Sequence, residues 1–244
     1  MRKIWIYILS VLFVAFIVFL AILAKKYEPV YRVENLVIIN NHIIPTEVLL
    51  EFIKVTDKES LKELSGEIIL DRIEKYPYVK KVEGVFVDTI TYKVIIEEVT
   101  PFYMVVTNLG RFIVTRERKI IPEDTRLRIL DLPVFNISKN LKHEELNINN
   151  KILSTSFKSF ENIYEIDRAL FGIISEMNFD NQNKLSLYLS KPKGRIIAGS
   201  ELDRLRSLYL SEFWRVVILN SQIDFEYIDL RFKDQIVVKY SNNS

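Results

Sequence analysis

Ser190-Lys191-Pro192-Lys193 has the Ser-x-x-Lys spacing of penicillin-binding enzymes, where a serine at a helix start gives its proton to a lysine one turn on. Here Pro192 falls between two strand-like runs, so the four residues read as a solvated turn. His42 and His143 are the only histidines. Neither has a His, Asp or Glu at a spacing suited to a metal site or a Ser-His-Asp triad, and both read as surface residues. Glu97-Glu98 and Glu144-Glu145 are adjacent acidic pairs. Neighbours on a strand point to opposite faces, so Glu97 and Glu98 cannot act on one bond, and both pairs read as solvated. Asn136-Ile137-Ser138 and Asn242-Asn243-Ser244 fit the glycosylation pattern, which is common by chance. Six glycines form no phosphate-cradling cluster. The expectation is therefore no catalytic residue, no metal site and no cofactor.

Binding chemistry gathers near the end of the sequence. Gln235, Ile236, Val237, Val238, Lys239 and Tyr240 form a β-prone run. At a sheet edge, their free backbone groups would pair with a partner's strand. The competing reading is an edge blunted by Lys233, Lys239 and the polar tail. Just before this run, Tyr227, Asp229 and Arg231 alternate with Ile228, Leu230 and Phe232. With the second set buried, the first set points outward together. Arg231 then either pairs locally on a solvated surface or meets a partner's carboxylate with both prongs of its guanidinium. Arg204, Arg206 and Arg215, on a preceding helix, add positive charge or are simply solvated.

The elements that position these residues start with Ile4 to Ala24, a run without a charged side chain. As a helix it would be about 31 Å long, enough to cross a bilayer core. It exceeds the roughly 7–15 apolar residues of a signal peptide, and Ile22 replaces the small residue expected two positions before a cleavage site at Ala24. Retention as an anchor is the preferred reading. Trp5, Tyr7 and Tyr27 suit the interfacial belts. No ionisable group lies inside, so no ion or proton path is indicated. Arg2 and Lys3 on one side balance Lys25, Lys26 and Arg32 on the other, so charge leaves the orientation open.

Beyond the run, roughly 220 residues suit one large domain or two small ones. Hydrophobic content of 49% and charged content of 27% are ordinary for a globular chain. A net charge of +2 offers no strongly basic face for nucleic acid. With no cysteine, disulfides and thiolate metal sites are excluded.

Val33 to Ile39 reads as a strand. Pro45 favours a helix start, and Val48, Leu49, Phe52 and Ile53 then share one face. Val55 to Leu64 is looped or weakly helical. Glu67 to Tyr76 is a second helix with Ile69, Leu70 and Ile73 inward, ended by Pro77. Val79 to Val87 is a strand with Gly84 as a possible bulge. Ile90, Tyr92, Val94 and Ile96 then alternate cleanly with Thr91, Lys93, Ile95 and Glu97. The order strand, helix, helix, strand, strand packs as two helices on a three-stranded sheet.

That order resembles the POTRA domain. Pro77-Tyr78-Val79-Lys80-Lys81-Val82 is similar to its Pro-aromatic-Val-Lys lead into the second strand, and Ile90 to Pro101 (ITYKVIIEEVTP) to its closing strand. An apolar run followed at once by one such domain resembles the FtsQ/DivIB cell-division family.

In the second half, Phe102 to Val106 and Arg111 to Thr115 flank Asn108-Leu109-Gly110 as a hairpin. Lys119 to Pro122 and Leu132 to Phe135 are short extended pieces, and Asn136 to Lys158 reads as loop. Phe160 to Met177 has helical spacing through Ile163, Ile166, Ala169, Leu170 and Ile173. Leu185 to Leu189 and Gly194 to Ala198 are strands. Glu201 to Leu219 is a helix with Leu202, Leu205, Tyr209, Phe213 and Val216 as its apolar face. Two strands follow, Phe225 to Phe232 and Gln235 to Tyr240, around Lys233-Asp234. Leu132-Pro133, the Ile196 to Gly199 strand leading into a helix, and Tyr227-Ile228-Asp229-Leu230-Arg231 carry the same family resemblance. Thr115 and Arg118 depart from it: the family's hairpin usually has Asp and, three residues on, Gly.

The expected class is α+β: a transmembrane helix (residues 4–24) after a cytoplasmic tail (1–3), a connector (25–31), a POTRA domain (32–100), an FtsQ/DivIB-type β domain with a C-terminal edge strand (101–240), and a short tail (241–244). The resemblance implies an inner-membrane protein with its N-terminus in the cytoplasm and its body exported, septal during division. It further implies a non-catalytic scaffold that binds FtsB- and FtsL-type proteins, with septal peptidoglycan synthases as further partners, and supports their synthesis. No nucleic acid or small-molecule substrate is expected. The competing class is a membrane-tethered envelope enzyme acting on cell-wall material. A POTRA-bearing outer-membrane protein would need a run of alternating barrel strands that is missing here.

Overall fold

The computed structural model of the chain describes residues 12–20, 31–128, 130–137, 139–180, 184–219, 225–232 and 235–241. Residues 12–20 are helical and exposed. The rest of the apolar run, with Trp5, Tyr7 and Tyr27, lies outside the described residues, as do Ser138, Lys233, Asp234 and Asn242–Ser244. Among the described residues no helix is long and apolar enough to cross a membrane. The chain is mixed α+β. It forms two compact units, one of residues up to Asn41 with Thr46–Tyr76 and Lys81–Glu97, the other of His42–Pro45, Pro77–Lys80 and Glu98 onward.

The elements of the first half run β1 (Asn35–Ile39), α1 (Thr46–Phe52), α2 (Lys58–Lys62), α3 (Gly66–Glu74), β2 (Val79–Phe86) and β3 (Thr91–Glu98). The sheet order is β1-β3-β2, with β1 parallel to β3 and Leu36 opposite Tyr92. Tyr92, Val94 and Ile96 are buried, as their alternation requires. Ile53, Ile69 and Ile73 are fully buried beneath the helices. The stretch read as loop or weak helix holds the short α2, so the order has three helices rather than two. Its start is fixed by a reciprocal cap: Asp57 accepts from the Ser60 amide at 2.7 Å, and the Ser60 hydroxyl accepts from the Asp57 amide at 3.1 Å.

Gly84 marks a close approach. A Cβ there would lie 2.2 Å from the Tyr92 hydroxyl oxygen, and one at Gly66 2.7 Å from the Tyr92 ring. The ring fills a slot between α3 and β2 that only two glycines leave open. Ile90 lies outside the alternating strand, in the turn before β3, and is exposed.

The second unit is built on β4 (Pro101–Thr107), β5 (Gly110–Thr115), β6 (Ile120–Pro122), β7 (Val134–Asn136), α4 (Lys151–Ile166), α5 (Arg168–Gly172), β8 (Ile174–Phe179), β9 (Leu185–Leu189), β10 (Gly194–Gly199), α6 (Arg204–Phe213), a π turn (Trp214–Ile218), β11 (Phe225–Asp229) and β12 (Val237–Tyr240). Among the described residues these strands form one nine-stranded sheet in the order β12-β11-β10-β9-β8-β7-β4-β5-β6. The joins β4–β7, β7–β8 and β10–β11 are parallel, and the other pairs are antiparallel. α4 packs on α5 and α6.

Two helix readings change. α4 starts at Lys151, inside the stretch read as loop, because the Asn150 side chain caps it by accepting from the Ile152 amide at 3.0 Å. Leu153, Phe157, Phe160 and Ile163 form its buried face, interrupted by buried Ser156 and Ser159. The helix ends at Ile166, and Ile174–Phe179 is strand β8, not helix. In α6 the buried face is Ser207, Leu210, Ser211, Trp214 and Ile218. Leu205, Tyr209 and Val216, expected inward, are exposed, and Leu202 is buried ahead of the helix. The serines on these inner faces are satisfied. The Ser156 hydroxyl donates to the Leu153 carbonyl and shares a hydrogen bond with Tyr103, and the Ser211 hydroxyl donates to Asp167 at 2.8 Å.

The turn from β5 to β6 is built without the aspartate and glycine that the sequence resemblance implies there. Arg118 takes a left-handed φ of +62°, the position glycine favours. The Thr115 hydroxyl accepts from the Lys119 amide at 3.3 Å, the task an aspartate would perform.

Gly84→Ala must displace the Tyr92 ring. It is expected to destabilise the first unit by about 1–3 kcal/mol, read as faster amide exchange in β2 and β3. Adding Tyr92→Phe should recover part of the loss, because the hydroxyl is the nearest atom.

Candidate docking edge

The two ends of the nine-stranded sheet are treated differently. At one end β6 is three residues long and finishes in Pro122, which has no N–H to offer. The Pro122 carbonyl accepts from the Tyr78 hydroxyl at 2.9 Å, and that hydroxyl accepts from the Asp124 amide at 3.3 Å. Burial pushes the Tyr78 phenol up to about 12. This edge is covered by the chain itself.

At the other end β12 pairs with β11 and with no further strand of the described residues. The register sets Val237 opposite Asp229, Val238 opposite Ile228 and Lys239 opposite Tyr227, with an irregularity between Phe225 and Tyr227. Ile236 and Val238 lean on the core, while Gln235, Val237, Lys239 and Tyr240 are exposed. A strand end of this kind is normally blunted by a projecting charge. The Lys239 ammonium is instead folded onto Glu226 at 2.6 Å, a contact that raises its pKa. It stands 6.0 Å from the centre of the Tyr227 ring. Among the described residues no strand covers the outer backbone of β12, which is flanked by exposed Val237 and Tyr240 as well as Gln235 and the paired Lys239.

Beside the edge is a groove of about 470 Å³, lined by Tyr209, Phe213, Val216, Val217 and Ile236. It joins α6, the π turn and the start of β12. Exposed Leu205, Leu208 and Leu219 extend the apolar surface of the same helix. Tyr209, Phe213 and Val216 of this groove belong to the face that helical spacing assigns to the core, whereas Ile236 is one of the expected edge residues. The overlooked signal is Leu210, Trp214 and Ile218 at helical spacing, a second apolar face on one helix.

Asp229 alternates with buried Ile228 and Leu230 as expected, but it is not exposed with Tyr227 and Arg231, because the Arg231 side chain covers it. It is only 3% exposed, because β11 is an interior strand with Ile197 and Val237 opposite it on either side. The Arg231 guanidinium lies over it, donating from Nε at 2.9 Å and from Nη2 at 2.6 Å, and the Arg231 amide adds a third bond at 3.0 Å. The two-pronged guanidinium is therefore engaged within the chain. Phe232, expected inward, lies past the end of β11 and is exposed. Tyr227 is half-buried between Arg195 and Lys239 on neighbouring strands. Arg204, Arg206 and Arg215 each lie by a carboxylate, Glu165, Asp203 and Glu212 in turn.

The other chemical candidates are dispersed. Ser190 occupies the turn between β9 and β10, where its hydroxyl donates to the Ile173 carbonyl at 3.0 Å, so no helix start places a lysine below it. His143 is exposed in a short 3₁₀ turn. Glu98 is not merely solvated. Its carboxylate accepts from the amides of His42, Ile43 and Ile44 at 2.8–3.1 Å. Arg128 holds the other polarity of the same loop, donating to the His42 carbonyl and, through its amide, to that of Ile43. His42 is thus a loop residue fixed by its backbone. Among the described residues no group of three or more His, Asp or Glu side chains could hold a metal ion.

No protein-family profile matches the chain, and no curated protein matches it in sequence. Among solved structures it is similar to the major extracytoplasmic domain of the trans isomer of the bacterial cell-division protein DivIB from Geobacillus stearothermophilus. The TM-score is 0.34 at 14% identity, over 52% of this chain and 97% of that one.

The Arg231 hydrogen bonds hold the Asp229 carboxyl below its ordinary value. Its contribution to stability is therefore full above the unfolded carboxylate pKa of about 3.9. It is lost as pH falls through the lower folded value. Amide exchange in β11 and β12 should accelerate as pH falls from about 3.9 through the lower folded value, and not above that range. Asp229→Asn should remove this pH dependence and speed exchange already at neutral pH.

Proposed function

We propose that this chain is a non-catalytic scaffold of bacterial cell division, anchored in the membrane by residues 4–24 with an exported body. In this reading the body captures an extended segment of a partner by strand addition to β12. The observation that carries it is the contrast between the two ends of one sheet: β6 is closed by Pro122 and Tyr78, while β12 keeps an open, Val-rich edge. Main-chain pairing along such an edge supplies affinity, and side-chain pockets beside it supply selectivity. The groove along α6 is the pocket adjacent to the edge.

The partners follow from the family resemblance of the sequence: FtsB- and FtsL-type proteins, and through them the septal peptidoglycan synthases. That resemblance, carried by Pro77 to Val82, Ile90 to Pro101 and Tyr227 to Arg231, also supplies the POTRA assignment of the first unit and the orientation with the N-terminus in the cytoplasm.

Along an edge strand, alternate N–H groups point to the neighbouring strand and to solvent. Val237→Pro and Val238→Pro therefore separate the two roles of β12. Both should abolish co-purification of the FtsB-type partner, and only one should disturb the exchange protection of β11. Retention of the partner by both variants would sink strand addition. At the level of the cell, depletion should give filaments, and a fluorescent fusion should collect at septa. A uniform membrane signal with normal division would reject the division role.

A further inference from the structure

The hairpin between β2 and β3 has a tip of unusual composition. Turns are normally polar, yet here Val85 and Val87 on one side and Ile90 on the other are exposed, at 51%, 63% and 40%. The chain leading into the first unit runs alongside. The Tyr31 ring lies 4.8 Å from that of Phe86, and Tyr31 is itself 53% exposed. The Arg32 amide donates to the Thr89 carbonyl at 3.0 Å, and the Glu34 amide to that of Ile90 at 2.9 Å. The one acid of the turn is occupied: Asp88 accepts from the amides of Ile90 and Thr91 at 2.8 and 2.7 Å. The tip thus carries apolar side chains on both of its faces, Tyr31 on the Phe86 face and Val85 on the opposite one, with Val87, Ile90 and Arg32 exposed beside them.

Single exposed apolar side chains need no explanation, but four gathered at one hairpin tip and the chain beside it do. The position of this group in the chain says what covers it. Only residues 25–30 separate Tyr31 from the apolar run that ends at Ala24. Fully extended, that connector places Tyr31 at most about 25 Å beyond the run. The headgroup layer alone occupies roughly 5–8 Å of this distance. An aromatic ring, aliphatic side chains and a cation are the composition that settles at the boundary between headgroups and acyl chains.

We infer that the β2–β3 hairpin tip, with Tyr31, is a membrane-surface contact that seats the first unit on anionic lipid headgroups. The inference rests on the reading of residues 4–24 as a membrane anchor.

The chain has no cysteine, so a single introduced one can be labelled uniquely. The full-length protein is reconstituted in vesicles of phosphatidylethanolamine and phosphatidylglycerol, with an environment-sensitive fluorophore on Val87→Cys, Lys75→Cys or Phe16→Cys. Position 75 is exposed and lies at the other end of α3 from Gly66. The label at 87 is expected to be quenched by headgroup nitroxide lipids with a blue-shifted emission, and the label at 75 to remain unquenched. Adding Ile90→Asp should abolish the quenching at 87. Quenching at 16 by acyl-chain nitroxides, with a label at 87 as unquenched as that at 75, would overturn the inference while leaving the anchor intact. That outcome would assign the tip to a protein partner or a second copy. Quenching at 87 that survives Ile90→Asp would also overturn it. Absence of quenching at 16 would remove the anchor and the inference together.

Discussion

The constraint on which this structure turns is that every buried backbone N–H and C=O needs a partner. A sheet meets that demand strand by strand and leaves it unmet at two edges. In the second unit nine strands share one ladder, and the edges receive opposite treatment. β6 is cut short by proline, and its last carbonyl is taken by a buried tyrosine. β12 has two adjacent valines and a lysine that is paired to Glu226, in the position of an edge. Natural sheets avoid that combination because it invites pairing with any passing chain. Its presence at one end, beside a protected end in the same sheet, gives the edge its functional reading.

What holds β12 in place is the packing behind it. α4 and α6 lie together, and their buried faces are tied by polar side chains rather than by apolar contact alone. Asp167 caps α5 by accepting from the Leu170 amide and also accepts from Ser211 of α6. Ser159 and Asn162 of α4 take the amide and the carbonyl of Leu202. Such bonds contribute modestly when made and cost much more when one partner is removed. They fix the rotation of α6 about its axis. That rotation puts Leu210, Trp214 and Ile218 inward and turns Tyr209 and Val216 to the groove beside β12.

The legible and illegible parts of the sequence divide along this line. Period-two alternation identifies β3, β9 and β11, because one face of each is apolar and no second pattern competes, and β-prone composition identifies β12. α6 has two apolar faces about 140° apart, as the five-residue steps from Leu205 to Leu210 and from Tyr209 to Trp214 require, so periodicity found a helix and chose the wrong side. α4 was hidden because Ser156 and Ser159 interrupt its buried face and Asn150, its cap, resembles ordinary loop composition. Asp229 was placed outside because alternation says which face a residue is on, not how deeply a neighbouring arginine covers it. Glu98 looked solvated because its three donors lie more than fifty residues upstream, beyond any local pattern. The turn at Arg118 shows the converse: a left-handed φ that a glycine would announce is carried by an arginine.

The charges near the edge bear on how a partner would be chosen. Lys239 is paired with Glu226, Arg231 with Asp229, Arg215 with Glu212 and Arg206 with Asp203. Most of these are exposed pairs of small energetic worth. Their effect is nonetheless to leave little unbalanced field for steering an incoming chain. If a strand adds to β12, its register must then come from shape: which side chains reach the groove of Tyr209, Phe213, Val216 and Ile236, since a slip of one residue turns every side chain to the other face. A recognition surface of this kind favours slow, selective capture over fast, salt-sensitive encounter.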